Sequence, residues 1–128
     1  MPEPKSTGYL PGRHVIEGYG GGGFRFAGMS HRGSILALPS GISAWDAVAP
    51  EDISIASLGP VFDEAEGSIE HLLIGTGPTL VPLERSLREK LREMGIMAEP
   101  MATGAAARTY SILLGEDRRV AAALLAVP

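Results

Sequence analysis

The sequence predicts an α/β fold, and three stretches carry that expectation. Residues 69–104 read as strand, glycine turn, helix and strand in succession. Leu72-Leu73-Ile74 is a continuous apolar run, as a strand covered on both faces requires. The first third alternates instead, with turn residues between short apolar runs, and reads as antiparallel β structure.

The chain has 128 residues, enough to bury one core, and the expected division is a flexible tail over 1–13 and a single α/β domain over 14–128. The tail is rich in Pro and Gly. His14 to Tyr19 suits a first strand, and Gly20–Gly23 a mobile hairpin loop. A phosphate-cradling role for that glycine run would need a helix start beyond it, and Phe24-Arg25-Phe26 alternates like a strand instead. Phe24–Met29 and Ser34–Leu38 are the next strands, around a turn at Ser30-His31-Arg32-Gly33. Ile42–Trp45 is another. Residues 53–65 suit a short or broken helix, because Gly59-Pro60 interrupts them.

The central unit follows. Pro82 suits a helix start, and Leu83, Leu87, Leu91 and Met94 form one apolar stripe. Glu84 and Arg88 stand at i,i+4, a pairing worth about 0.2–0.5 kcal/mol. Gly95 is placed to end the helix in a left-handed conformation, and Ile96–Met101 is the strand beyond it. Two strands joined by one helix form a parallel βαβ unit. A second helix begins at Thr103-Gly104, with Ala106, Tyr110, Leu113 and Leu114 on one face and Gly115 as its stop. Val120–Val127 is the last strand.

Chemistry is sparse. There is no Cys, which excludes disulfides, thiolate catalysis and Cys-ligated zinc. His14, His31 and His71 share no metal-ligand spacing, and no Ser lies in a nucleophile-elbow context. Neither catalytic residues, nor a metal site, nor a cofactor is assigned. The net charge of −4 argues against a nucleic-acid binder, and no apolar run is long enough for direct membrane insertion. A cytoplasmic protein is expected, the N-terminus lacking a signal-peptide pattern. The candidate ligand site is the pair of strand-to-helix turns: Gly75, Thr76, Gly77, Thr103 and Gly104, with Arg108 one turn into the second helix. Amides at helix starts on the carboxyl edge of a parallel sheet favour an anion. The plainer reading is that these glycines only make tight turns. Trp45 is a core residue or a protein-partner contact.

The stretches Leu72-Leu73-Ile74-Gly75-Thr76-Gly77, Gly95-Ile96, Thr103 to Tyr110 and Arg119 to Leu124 resemble the NADH:ubiquinone oxidoreductase complex assembly factor 3 family, across roughly the last 60 residues. The resemblance implies a three-layer α/β fold with a mixed central sheet. It implies a non-enzymatic scaffold or assembly role, with complex I subunits or assembly factors as partners. Many members of that family carry Cys where this chain has Ala107, so no thiol role carries over. The alternative is a small anionic-ligand-binding domain, or a cryptic enzyme, using the turns at 75–77 and 103–104.

Overall fold

The computed structural model describes residues 9–128. Its strands are β1 (Leu10–Pro11), β2 (Gly18–Gly20), β3 (Gly23–Phe26), β4 (Met29–Arg32), β5 (Ile35–Leu38), β6 (Gly41–Ala44), β7 (His71–Gly75), β8 (Met97–Met101) and β9 (Val120–Leu124). Its helices are α1 (Gly59–Phe62), α2 (Arg85–Glu93) and α3 (Thr103–Gly115), with a 3-10 turn at Pro50–Asp52.

Six strands form a mixed sheet in the order β1-β6-β5-β9-β7-β8, and β2-β3-β4 form a separate antiparallel sheet. β7 lies parallel to both β8 and β9, while β5 is antiparallel to β9 and to β6. The connection from β7 to β8 carries α2. The return from β8 to β9 carries α3 and passes over β7 to its far side. The two connections run in opposite directions across the sheet and put their helices on opposite faces.

Strand periodicity then builds a core on each face. Leu72, Ile74, Ala121 and Ala123 point to one side, where Leu87 and Leu91 of α2, Leu58, Val61 and Trp45 meet them. Leu73, Val120, Ala122 and Leu124 point to the other, against Ala106, Ala107 and Tyr110 of α3 and Phe24 and Phe26 of the small sheet. The result has three layers: α1 and α2, the mixed sheet, then α3 with the small sheet. The alanines of β9 matter here. Bulkier side chains on a strand covered on both sides would hold the helices away.

The strand-turn-helix-strand reading of 69–104 and the antiparallel reading of the first third both hold. Several boundaries move. The glycine run forms a tight two-residue turn, since Gly20 pairs with Gly23 and Gly21 and Gly22 both have positive φ (61° and 85°). The next turn is not at 30–33. It is Ala27-Gly28, again with positive φ at both residues, and Ser30-His31-Arg32 belongs to β4. The helix placed after Pro82 starts at Arg85, because Thr76 holds the preceding segment extended: its Oγ1 accepts the Val81 N–H at 2.9 Å. Glu84 therefore precedes the helix, and its backbone carbonyl accepts the Arg88 N–H. No Glu84–Arg88 ion pair forms among the described residues. Gly95 does adopt φ 79° after α2, whereas α3 runs through Gly115 and its left-handed residue is Asp117. Of the tail expected over 1–13, residues 1–8 lie outside the described residues, and Leu10–Pro11 is an edge strand paired with Gly41 and Ile42.

Candidate functional site

The candidate residues gather at the carboxyl ends of β7 and β8, as their sequence positions required, but their hydrogen bonds point inward. Thr76 N–H donates to Met101 O at 2.8 Å, and Thr103 N–H donates to Gly77 O at 2.8 Å. The Gly77 N–H donates to Thr103 Oγ1 at 3.0 Å, and that hydroxyl donates in turn to Leu125 O at 2.8 Å. Leu125 N–H closes the ring on Gly75 O at 3.0 Å. Thr76 Oγ1 lies 2.6 Å from Thr79 O and 3.1 Å from Met101 O. Both threonines are buried, so their hydroxyls are internal cross-links between three chain segments. Gly75 is needed for packing: a Cβ there would lie 2.9 Å from Thr103 Cα and 3.0 Å from Leu124 Cδ2.

The two turns are thus unlike. The one at 75–77 is followed by an extended loop, and only Thr103-Gly104 opens directly into a helix. At α3 no side chain caps the helix, and the N–H groups of Gly104 and Ala105 have no protein acceptor among the described residues. They face an open groove of about 440 Å³ lined by Tyr19, Gly77, Pro78, Gly104, Arg108 and Pro128, among others. Arg108 is exposed and joins no ion pair among the described residues. The Tyr19 ring from β2 lies across Gly104, where a Cβ would strike it. So Gly77, Gly104 and Arg108 share a surface, while Gly75, Thr76 and Thr103 support it from beneath. A second groove of about 400 Å³ lies on the other side of the 76–84 loop, lined by Pro50, Ile53, Val81, Pro82 and Leu83 over Thr76.

The remaining chemistry-bearing residues are dispersed. Trp45 is 5% exposed and donates its indole N–H to Ser57 O at 2.9 Å, which places it in the core of the α1/α2 face. His71 stands at the opposite end of β7, 3.3 Å from Arg118 and 3.9 Å from Glu70. His14 contacts Pro11 O at 2.9 Å. Among the described residues no three His, Asp or Glu converge as metal ligands would. Burial pushes the Tyr110 phenol up to about 12, with nearby Arg13 pulling the other way.

One surface was missed by sequence reasoning. Register pairs Gly18 with Arg25 and Arg25 with Ser30, and pairs Gly20 with Gly23 and Gly23 with Arg32. These six residues share the outer face of the small sheet, and Tyr19, Phe24 and His31 share the inner one. The signal was a period of two in Gly18-x-Gly20, Gly23-x-Arg25 and Ser30-x-Arg32. It is readable only once the turn is set at Ala27-Gly28.

A family model described as a protein of unknown function (DUF498/DUF598) matches residues 16–125. The chain belongs to that family. An uncharacterised protein of Rhodobacter capsulatus is 40% identical over 126 residues, covering 98% of this chain and 92% of that one. The zebrafish (Danio rerio) protein called NADH dehydrogenase [ubiquinone] 1 alpha subcomplex assembly factor 3 is 36% identical over 114 residues. That match covers 89% of this chain, and the chain spans 65% of the zebrafish protein's length. A crystal structure described as an outer membrane protein from Bartonella henselae superposes with a TM-score of 0.88 at 50% identity, covering 93% of this chain and 99% of the other. No helix among the described residues is long and apolar enough to cross a membrane.

Proposed function

We propose that this DUF498/DUF598 protein assists the assembly of respiratory complex I through protein–protein contacts in the cytoplasm, with no reaction of its own. The observation that carries the reading is the 36% identity, over most of this chain, to a vertebrate complex I assembly factor. The internal use of Thr76 and Thr103 agrees with it, since the edge where α/β proteins commonly hold ligands is stitched to itself. The partners are complex I subunits or other assembly factors.

The test is deletion of the gene in its host. Membranes are assayed for rotenone-sensitive NADH:quinone activity, and complex I is resolved on a native gel. Loss of the assembled complex, restored by the wild-type chain, supports the proposal. Normal activity with a normal gel overturns it. Fractionation of the same cells tests the cytoplasmic placement, against the description carried by the Bartonella structure.

A second reading is favoured by one specific feature. The free N–H groups at Gly104 and Ala105, beside Arg108, would hold a small anion in the α3 groove. Titration with phosphate, nucleotides and small carboxylates would then move the amides of Gly77 and Gly104. Silent amides remove this reading.

A further inference from the structure

The outer face of the small sheet is open over Arg25, Ser30 and Arg32, while Gly23 is buried and the Pro128 carbonyl lies near Gly20, and its composition is unusual. Gly18, Gly20 and Gly23 leave it bare of side chains, and Arg25, Ser30 and Arg32 stand exposed around the bare strip. Together they line an open depression of about 560 Å³ with no acidic residue in its lining. In a chain of net charge −4, a depression lined by two arginines and no carboxylate is a local reversal of sign.

The edge of this sheet adds a second fact. β4 pairs only with β3. The two-residue turn at Ala27-Gly28 makes Phe26 and Met29 a hydrogen-bonded pair, so the alternating ladder turns the backbone groups of Ser30 and Arg32 away from β3. They are the unpaired edge. Arg25 reaches toward it: its Nη1 donates to Ser30 Oγ at 3.1 Å, which brings the guanidinium over β4, one strand spacing from the place a further strand would occupy. Glu17 touches Arg25 only at Nε, at 4.0 Å, with both side chains half-exposed, and Nη2 has no partner among the described residues.

We propose that the free edge of β4, with Arg25 and Arg32 beside it, docks an extended acidic segment of another protein as a fourth strand. Main-chain bonds to Ser30 and Arg32 would hold the segment, and its carboxylates would meet the two arginines. The same charges argue against a second copy of this chain. Symmetric pairing of two β4 edges sets arginine against arginine. The idea rests on the protein-contact reading above and gives that reading a surface.

The probe is a capped peptide of alternating Glu and Thr, titrated into the ¹⁵N-labelled full chain, with a Lys/Thr peptide as control. Amide shifts at Ser30, Arg32 and Arg25, weakening as salt is raised, are the expected result. The double variant Arg25→Glu/Arg32→Glu should bind the acidic peptide about tenfold more weakly or worse and should gain the Lys/Thr peptide. Ser30→Pro removes one edge N–H while keeping both charges, and should weaken binding as well. An unchanged spectrum away from β2, β3 and β4 certifies that each variant is folded. Absence of shifts at β4, affinity indifferent to charge reversal, displacement of the peptide by inorganic phosphate at lower concentration, or self-association of the wild-type chain through β4 would each overturn the proposal. Peptide binding with normal complex I in the deletion host separates the two failures: the docking edge then stands and the complex I role does not.

Discussion

At the scale of single residues, Thr103 and Gly75 hold exacting positions at the core of the candidate site. Thr103 Oγ1 takes the Gly77 N–H and gives its own proton to Leu125 O, with no exposed surface. Thr103→Val keeps the shape but orphans both buried groups, and should destabilise by roughly 2–4 kcal/mol. Thr103→Ser keeps the hydroxyl and should cost much less; urea midpoints for the pair check this. Gly75→Ala and Gly104→Ala make a second contrast. At Gly75 the obstruction is buried Thr103 backbone and the Leu124 side chain, so about 1–3 kcal/mol should be lost. At Gly104 it is the end of an exposed Tyr19 ring, which can swing away, and alanine should be nearly neutral in the same unfolding measurement. Tyr110 gives a pH dependence. Its folded pKa of about 12 lies above the ordinary 10.0, because burial disfavours the phenolate. Its contribution is therefore intact below about pH 10 and is lost as pH rises toward about 12, since the unfolded chain releases that proton first. The loss amounts to roughly 2–3 kcal/mol. In a Tyr9→Phe/Tyr19→Phe chain, the tyrosinate absorbance of the folded state should appear near pH 12, and the stability loss should precede it.

At the scale of elements, the legible parts were those with long periodic patterns. The stripe Leu87-Leu91 and the run Leu72-Leu73-Ile74 name α2 and β7 because period and burial agree there. What escaped was set by contacts that no local pattern announces. Ala27 adopts φ 51°, a conformation alanine rarely takes, so the turn at 27–28 carried a weaker signal than Ser30-His31-Arg32-Gly33 beside it. β1 is two residues long and ends in proline, below the threshold of any strand pattern. The loop before α2 depends on Thr76, nine residues upstream of Arg85, a side-chain hydrogen bond invisible to periodicity. At the candidate site the sequence placed the turns correctly but left open whether their amides were free. β8 yields a further prediction. It is an edge strand, and its register gives Met97 and Met101 to β7, with Met97 N–H on Glu70 O and Met101 O taking Thr76 N–H. The nitrogen of Pro100 thus faces outward, where proline blunts an edge. Pro100→Val should restore an edge N–H, raise β-propensity and increase self-association over wild type, measured by sedimentation velocity.

At the scale of the whole molecule, one strand ties the two halves of the core together. β9 has no exposed residue, and its side chains alternate between the α1/α2 face and the face shared by α3 and the small sheet. A disturbance on either face must therefore pass through the same strand, and the chain over 14–128 should unfold as one unit. Trp45 is buried on the first face and Phe24 on the second, so Trp45 fluorescence reads how the first layer responds to a change made in the second. Phe24→Ala removes a large side chain from the second core and should cost about 3–5 kcal/mol. If the sheet couples the faces, Trp45 fluorescence and far-ultraviolet circular dichroism will shift together in Phe24→Ala, to one common urea midpoint. Leu91→Ala, made on the first face, should move both probes together as well, by about 2–5 kcal/mol. Separate midpoints in either variant would mean that the small sheet and α3 melt away from an intact α2 layer. A Phe24→Ala chain whose fluorescence midpoint stays at the wild-type value while the dichroism midpoint falls would show that separation most directly.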